Sequence, residues 1–146
     1  MSLLKKGDTI GIVACSNGQP LSNTSKIESL LLQIENLDLT PVCSKYIYEI
    51  HSPFNGLAEY KGKSFMDLYK NNEVKAIFDI SGGDLANEVL EYLDYDYISK
   101  NPKPIFGYSD LTTVLNAVYS QTNNPVYLYQ IRNLIYSDSE NQKANF

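Results

Sequence analysis

Apolar residues fall in two spacings along this chain, and the two alternate. Asp8 to Ala14 (Asp-Thr-Ile-Gly-Ile-Val-Ala) is a β-rich apolar run that ends in the turn-forming set Cys15, Ser16, Asn17 and Gly18. It predicts a first strand buried on both faces. From Thr24 to Asn36, Ile27, Leu30, Leu31 and Ile34 recur at helical spacing, and Thr40 to Ser44 returns to an extended pattern. A loop around His51 to Gly56 precedes a second helix over Leu57 to Tyr69, then a strand over Val74 to Ile80 that stops at Ser81-Gly82-Gly83-Asp84. A third helix carries Leu85, Val89, Leu90 and Leu93. The break Pro102-Lys103-Pro104 leads into a short strand at Ile105-Phe106, and a fourth helix uses Leu111, Val114, Leu115 and Val118. Pro125 to Tyr129 reads as a last strand. One domain is expected over residues 1–136, followed by a polar tail, 137–146, with little to bury.

Strand and helix in alternation predict an α/β fold, a flavodoxin-like parallel sheet with helices on both faces. Ligands of such sheets gather at the carboxyl ends of the strands. Three loops follow strands and should therefore converge: Ser16 to Gly18, Ser81 to Asp84, and Tyr108 to Asp110. Composition narrows the ligand. With 146 residues, 43% of them hydrophobic, one compact domain is the expectation. A net charge of −5 and no basic run argue against nucleic acid and anionic membranes as partners. Cys15 and Cys43 lack ligand spacing and read as reduced core thiols, with no metal or cofactor signalled. No signal-peptide core or membrane-length apolar run is present, so a cytoplasmic location is expected.

The segment Ile105-Phe106-Gly107-Tyr108-Ser109-Asp110-Leu111 carries the strongest chemical signal. A strand-to-helix elbow lifts a serine hydroxyl out of the sheet and leaves the first N–H groups of the helix aimed where an oxyanion would form. The motif G-x-S-x-G is met only in part, because Leu111 stands at its second glycine. Ser109 or Asp110 also reads as a plain helix N-cap. Gly82-Gly83 reads as a second oxyanion donor, as a phosphate cradle or as an ordinary turn. The base is the missing part. His51 is the sole histidine, with Glu49 and Glu59 near in sequence, and a loop histidine is commonly a solvated surface group. Lys100 and Lys103 precede the strand and would have to fold back to reach Ser109.

Four stretches together resemble a known family in order and spacing: Leu4 to Ala14, Asn72 to Ile77 leading to Gly82-Gly83, Tyr92-Leu93-Asp94-Tyr95, and Gly107 to Thr112. The chain is similar over residues 4 to 120 to the N-terminal domain of LD-carboxypeptidases and their microcin C immunity relatives. That resemblance implies a serine peptidase cutting an amide in murein LD-peptides or in aminoacyl-nucleotide antibiotics. It implies Ser109 as nucleophile, the N–H groups of Asp110, Gly82 and Gly83 as oxyanion hole, and substrate contacts from Ser16, Ser81 and Asp84. Cys15 stands where the family usually has proline, Ser81 where many carboxypeptidases have arginine, and the His-Gly-Pro segment that many members show after the elbow helix is missing from residues 125–146. The resemblance implies that the catalytic Glu and His of the triad come from a C-terminal domain, which is expected to be absent from this chain. The expectation is therefore low activity for this chain alone, with self-association or association with such a domain. The alternative is a non-catalytic peptide- or nucleotide-binding module, or a truncated remnant.

Overall fold

A computed structural model describes residues 3–146. Strands β1 (Thr9–Val13), β2 (Thr40–Cys43), β3 (Val74–Asp79), β4 (Ile105–Gly107) and β5 (Val126–Leu128) form one parallel sheet in the order β2-β1-β3-β4-β5. This is the flavodoxin order, whose winding reverses between β1 and β3. Parallel neighbours require crossovers, which are supplied by α1 (Thr24–Asn36), α2 (Ala58–Lys70), α3 (Tyr95–Lys100) and α4 (Thr112–Thr122). Pro41 is tolerated because β2 is an edge strand with one free side.

Two apolar layers hold the sheet. Ile10, Ile12 and Ala14 of the first strand and its continuation pack with Ile27, Leu30 and Ile34 of α1 on one face. Val13, Ile77 and Ile105 pack with α2 and α4 on the other, through Phe65, Tyr69, Val114 and Val118. Between Thr9 and Ile10 the β1–β3 register shifts, so that Thr9 faces Val74 while Ile10 faces Ala76. Exposed Lys75 is skipped, which lets Val74 join one layer and Ala76 the other.

Three details depart from the sequence pattern. The third helix is a 3-10 run, Ala86–Tyr92, that ends before Asp94, and α3 restarts where Asp94 Oδ1 accepts the Tyr97 N–H at 2.9 Å. The segment expected as a tail with little to bury forms α5 (Ser139–Asn145), and Phe146 lies against Phe78 and Tyr129 with ring centroids 5.6 and 6.0 Å away. One terminal aromatic does what no periodicity announced. Cys15 is buried as expected but Cys43 is exposed, at the end of β2, the edge strand of the sheet. No helix of the described residues is long and apolar enough to cross a membrane.

Candidate active site

The carboxyl ends of β1, β3 and β4 bring the three loops together. Ser109 occupies the left-handed backbone region, φ 62°, which costs an L-residue about 1–2 kcal/mol. The turn is tight because Gly107 has no side chain: a Cβ there would lie 2.9 Å from that of Leu111. Leu111, the residue that breaks the glycine motif, is buried against this gap and anchors the start of α4. The Ser109 carbonyl accepts the Thr112 hydroxyl at 2.7 Å, while its own hydroxyl is exposed and has no partner among the described residues.

The double-glycine turn faces this serine. A Cβ on Gly82 would stand 3.9 Å from the Ser109 Cβ. Gly83 has φ 133° and lies so close to the Asn17 carboxamide that a Cβ would collide with it. Asn17 laces the turn in place: its N–H donates to the Gly82 carbonyl at 3.3 Å and its Oδ1 accepts the Asp84 N–H at 3.2 Å. The N–H groups of Gly82, Gly83 and Asp110 have no acceptor among the described residues.

Below the turn, buried polar groups tie the loops to one another. Asp110 Oδ2 accepts the Ser16 hydroxyl at 2.5 Å and the Ala86 N–H at 3.2 Å, and Ser16 Oγ accepts the Leu85 N–H at 3.1 Å. Asp110 thus caps the 3-10 segment after β3 instead of its own helix. Ser16 and Ser81 were expected to touch substrate, but both are buried with their hydroxyls spent internally. Ser81 Oγ donates to Asp79 Oδ1 at 2.5 Å and accepts the Ser16 N–H at 3.0 Å. Asp84 alone of that set stays exposed on the rim.

Asp79 also accepts the N–H groups of Cys15 (2.8 Å) and Ser81 (2.7 Å), yet burial outweighs these donors and pushes its carboxyl above the ordinary range. Burial, reinforced by the Asp79 charge, pushes the Cys15 thiol well up, which makes it a poor nucleophile. Lys61 is buried and donates to the Ser16 carbonyl at 3.2 Å, with Glu88 at 4.0 Å.

The other candidate bases lie elsewhere. His51 is exposed on the loop after β2, and Glu49 accepts from Ser52 at 3.1 Å instead of pairing with it. Lys100 pairs with Asp96, and Lys103 donates to the carbonyls of Tyr69 and Asn71 at the amino end of the sheet. Sequence reasoning missed Asn17, Asp79 and Lys61. Lys61 was detectable as a charge on the apolar stripe of α2, four residues before Phe65 and eight before Tyr69.

Residues 10–129 match the family model described as the LD-carboxypeptidase N-terminal domain. The chain is 34% identical over 127 residues to the "Putative carboxypeptidase YocD" of Bacillus subtilis, covering 86% of this chain and 39% of that protein. It is 30% identical over 119 residues to the microcin C7 self-immunity protein MccF of Escherichia coli, covering 82% and 35%. A solved MccF complex with aspartyl sulfamoyl adenosine superposes with a TM-score of 0.77 at 30% identity, over 82% of this chain and 36% of that one. An MccF-like protein of Bacillus anthracis gives 0.81 at 30% identity, over 88% and 40%. The chain spans well under half the length of these relatives. Within that span it belongs to the LD-carboxypeptidase family, peptidase S66, as its N-terminal domain.

Proposed function

We propose that this chain supplies the nucleophile half of a serine amide-hydrolase site. Ser109 Oγ attacks the amide carbon and its proton passes to a base. The N–H groups of Asp110 and the Gly82-Gly83 turn hold the oxyanion, the amine leaves with the proton, and water then releases the acyl group from Ser109. The observation that carries this reading is the left-handed Ser109, its hydroxyl free and the glycine turn opposite it. Backbone strain at a residue whose side chain has no partner is typical of functional sites.

The substrates follow from the relatives: an amide in an LD-peptide, or the aminoacyl linkage of a nucleotide-like compound of the kind bound by MccF. The base and its orienting carboxylate would come from the part of the family's length beyond this chain. Lacking a base, a serine site loses several orders of magnitude in rate.

A fluorophosphonate probe tests this on residues 1–146. Labelling of the Ser109 peptide, slow in buffer, accelerated by added imidazole and absent in Ser109→Ala, is the expected result. Labelling of any other serine, or equal labelling of Ser109→Ala, would overturn it.

A further inference from the structure

The chain contains a single arginine, Arg132, in the 3-10 turn Ile131–Ile135 that follows β5. A guanidinium normally meets carboxylates at such partly buried positions, but no Asp or Glu lies within 4.0 Å of Arg132 among the described residues. Its Nη1 donates to the neutral carboxamide of Gln19 at 3.3 Å. Its Nε is buried and has no partner among the described residues. An unpaired buried N–H on a cation is a standing cost, and such atoms mark places where a ligand completes the bonding.

The position is suggestive for the reaction. Gln130, two residues earlier, accepts the Arg132 N–H at 3.3 Å through Oε1 and reaches the Ser81 carbonyl at 3.5 Å through Nε2. Gln19 follows the Ser16–Asn17 loop that braces the glycine turn. Arg132 is thus tied to both loops beside Ser109, at the same carboxyl edge. The guanidinium has two binding forks. Gln19 engages Nη1, and among the described residues neither the buried Nε nor Nη2 has an acceptor, which leaves a fork that matches a two-oxygen anion.

We propose that Arg132, flanked by Gln19 and Gln130, is a specificity residue that receives the terminal carboxylate of a peptide substrate. The proposal rests on the hydrolase reading above. Binding orients the peptide from Arg132 toward Ser109, and a carboxamide in place of the carboxylate loses the charge-assisted pair. A phosphate group offers the same paired oxygens, so the two sources are separated by experiment.

One arginine gives one Nε–H signal in a ¹⁵N–¹H spectrum, which makes the test direct. The intact chain is titrated with N-acetyl-L-alanyl-D-alanine, with the C-terminal amide of the same dipeptide, and with adenosine monophosphate. The expected result is a downfield shift of the Arg132 Nε–H with the carboxylate and none with the amide, and an affinity weakened roughly tenfold or more in Arg132→Gln. Arg132→Lys, which keeps the charge without the fork, should recover only part of that loss. A shift with the nucleotide alone would overturn the carboxylate assignment in favour of phosphate. An unmoved Nε–H under every probe would overturn the site altogether. The amide signals of Gly82, Gly83 and Asp110 report separately: if they move while Nε–H does not, the hydrolase reading survives and only the role of Arg132 falls.

Discussion

The two ends of the sheet both carry buried polar groups, and they differ in whether those groups are satisfied. At the amino end Asn124 is fully buried and uses both ends of its carboxamide. Oδ1 accepts from Tyr69 (3.0 Å) and the Lys103 N–H (2.8 Å), and Nδ2 donates to the carbonyls of Lys103 (2.9 Å) and Pro125 (3.1 Å). Lys103 Nζ closes the cluster on the carbonyls of Tyr69 and Asn71. At the carboxyl end Asp79, Ser16 and Ser81 are bonded in the same way, but three neighbouring groups are left open. Among the described residues the buried side-chain atoms without a partner are Asn55 Oδ1, Asp110 Oδ1 and Arg132 Nε, and each residue bonds to a loop at that edge. Closed networks hold a fold together, whereas unsatisfied ones are kept where something else binds.

Removing the closed network should cost the most stability. Asn124→Ala strips bonds from Tyr69, Lys103 and Pro125 and should lower stability by about 3 kcal/mol in urea titration, with probe labelling of Ser109 unchanged in the folded protein. Gly83→Ala acts on the open end. It places a side chain at φ 133° against Asn17, and should cost about 1–3 kcal/mol and slow labelling of Ser109 by roughly tenfold. A variant with lost stability but full labelling would separate the turn from the chemistry.

How much of this was legible beforehand follows the physics of each element. Apolar periodicity exposed α1, β1 and β3, because their burial is set by contacts along the segment itself. The elbow at Ser109 was legible from Gly107 and the strand-helix junction. The roles of Ser16, Ser81 and Asp110 were not, since their partners lie 94, 65 and 24 positions away in the chain for the pairs Ser16–Asp110, Ser16–Ser81 and Asp110–Ala86. A serine that braces a loop and one that touches substrate look alike in a sequence. Phe146 was illegible for a related reason, as a single aromatic has no period.

Smaller effects sharpen the contrast further. Ser109→Gly relieves the left-handed strain and should raise stability by about 0.5–1 kcal/mol while abolishing labelling, the signature of a residue kept for chemistry. Serine and glycine of equal stability would contradict it. At the amino end, burial pushes the Lys103 ammonium down to about 8 from 10.5. Between those values the unfolded chain binds more protons than the folded one, so stability should rise with pH from about 8 toward 10. Lys103→Met should flatten that rise in urea midpoints, with the carboxyl end unaffected.

The most direct measurement is a crystal structure of the chain phosphonylated by the probe. The account predicts phosphorus on Ser109 Oγ, with one phosphonyl oxygen within hydrogen-bonding distance, about 2.7–3.1 Å, of the Asp110 N–H and of a glycine N–H in the Gly82-Gly83 turn. An adduct on another serine, or an oxygen turned to solvent away from those donors, would contradict it.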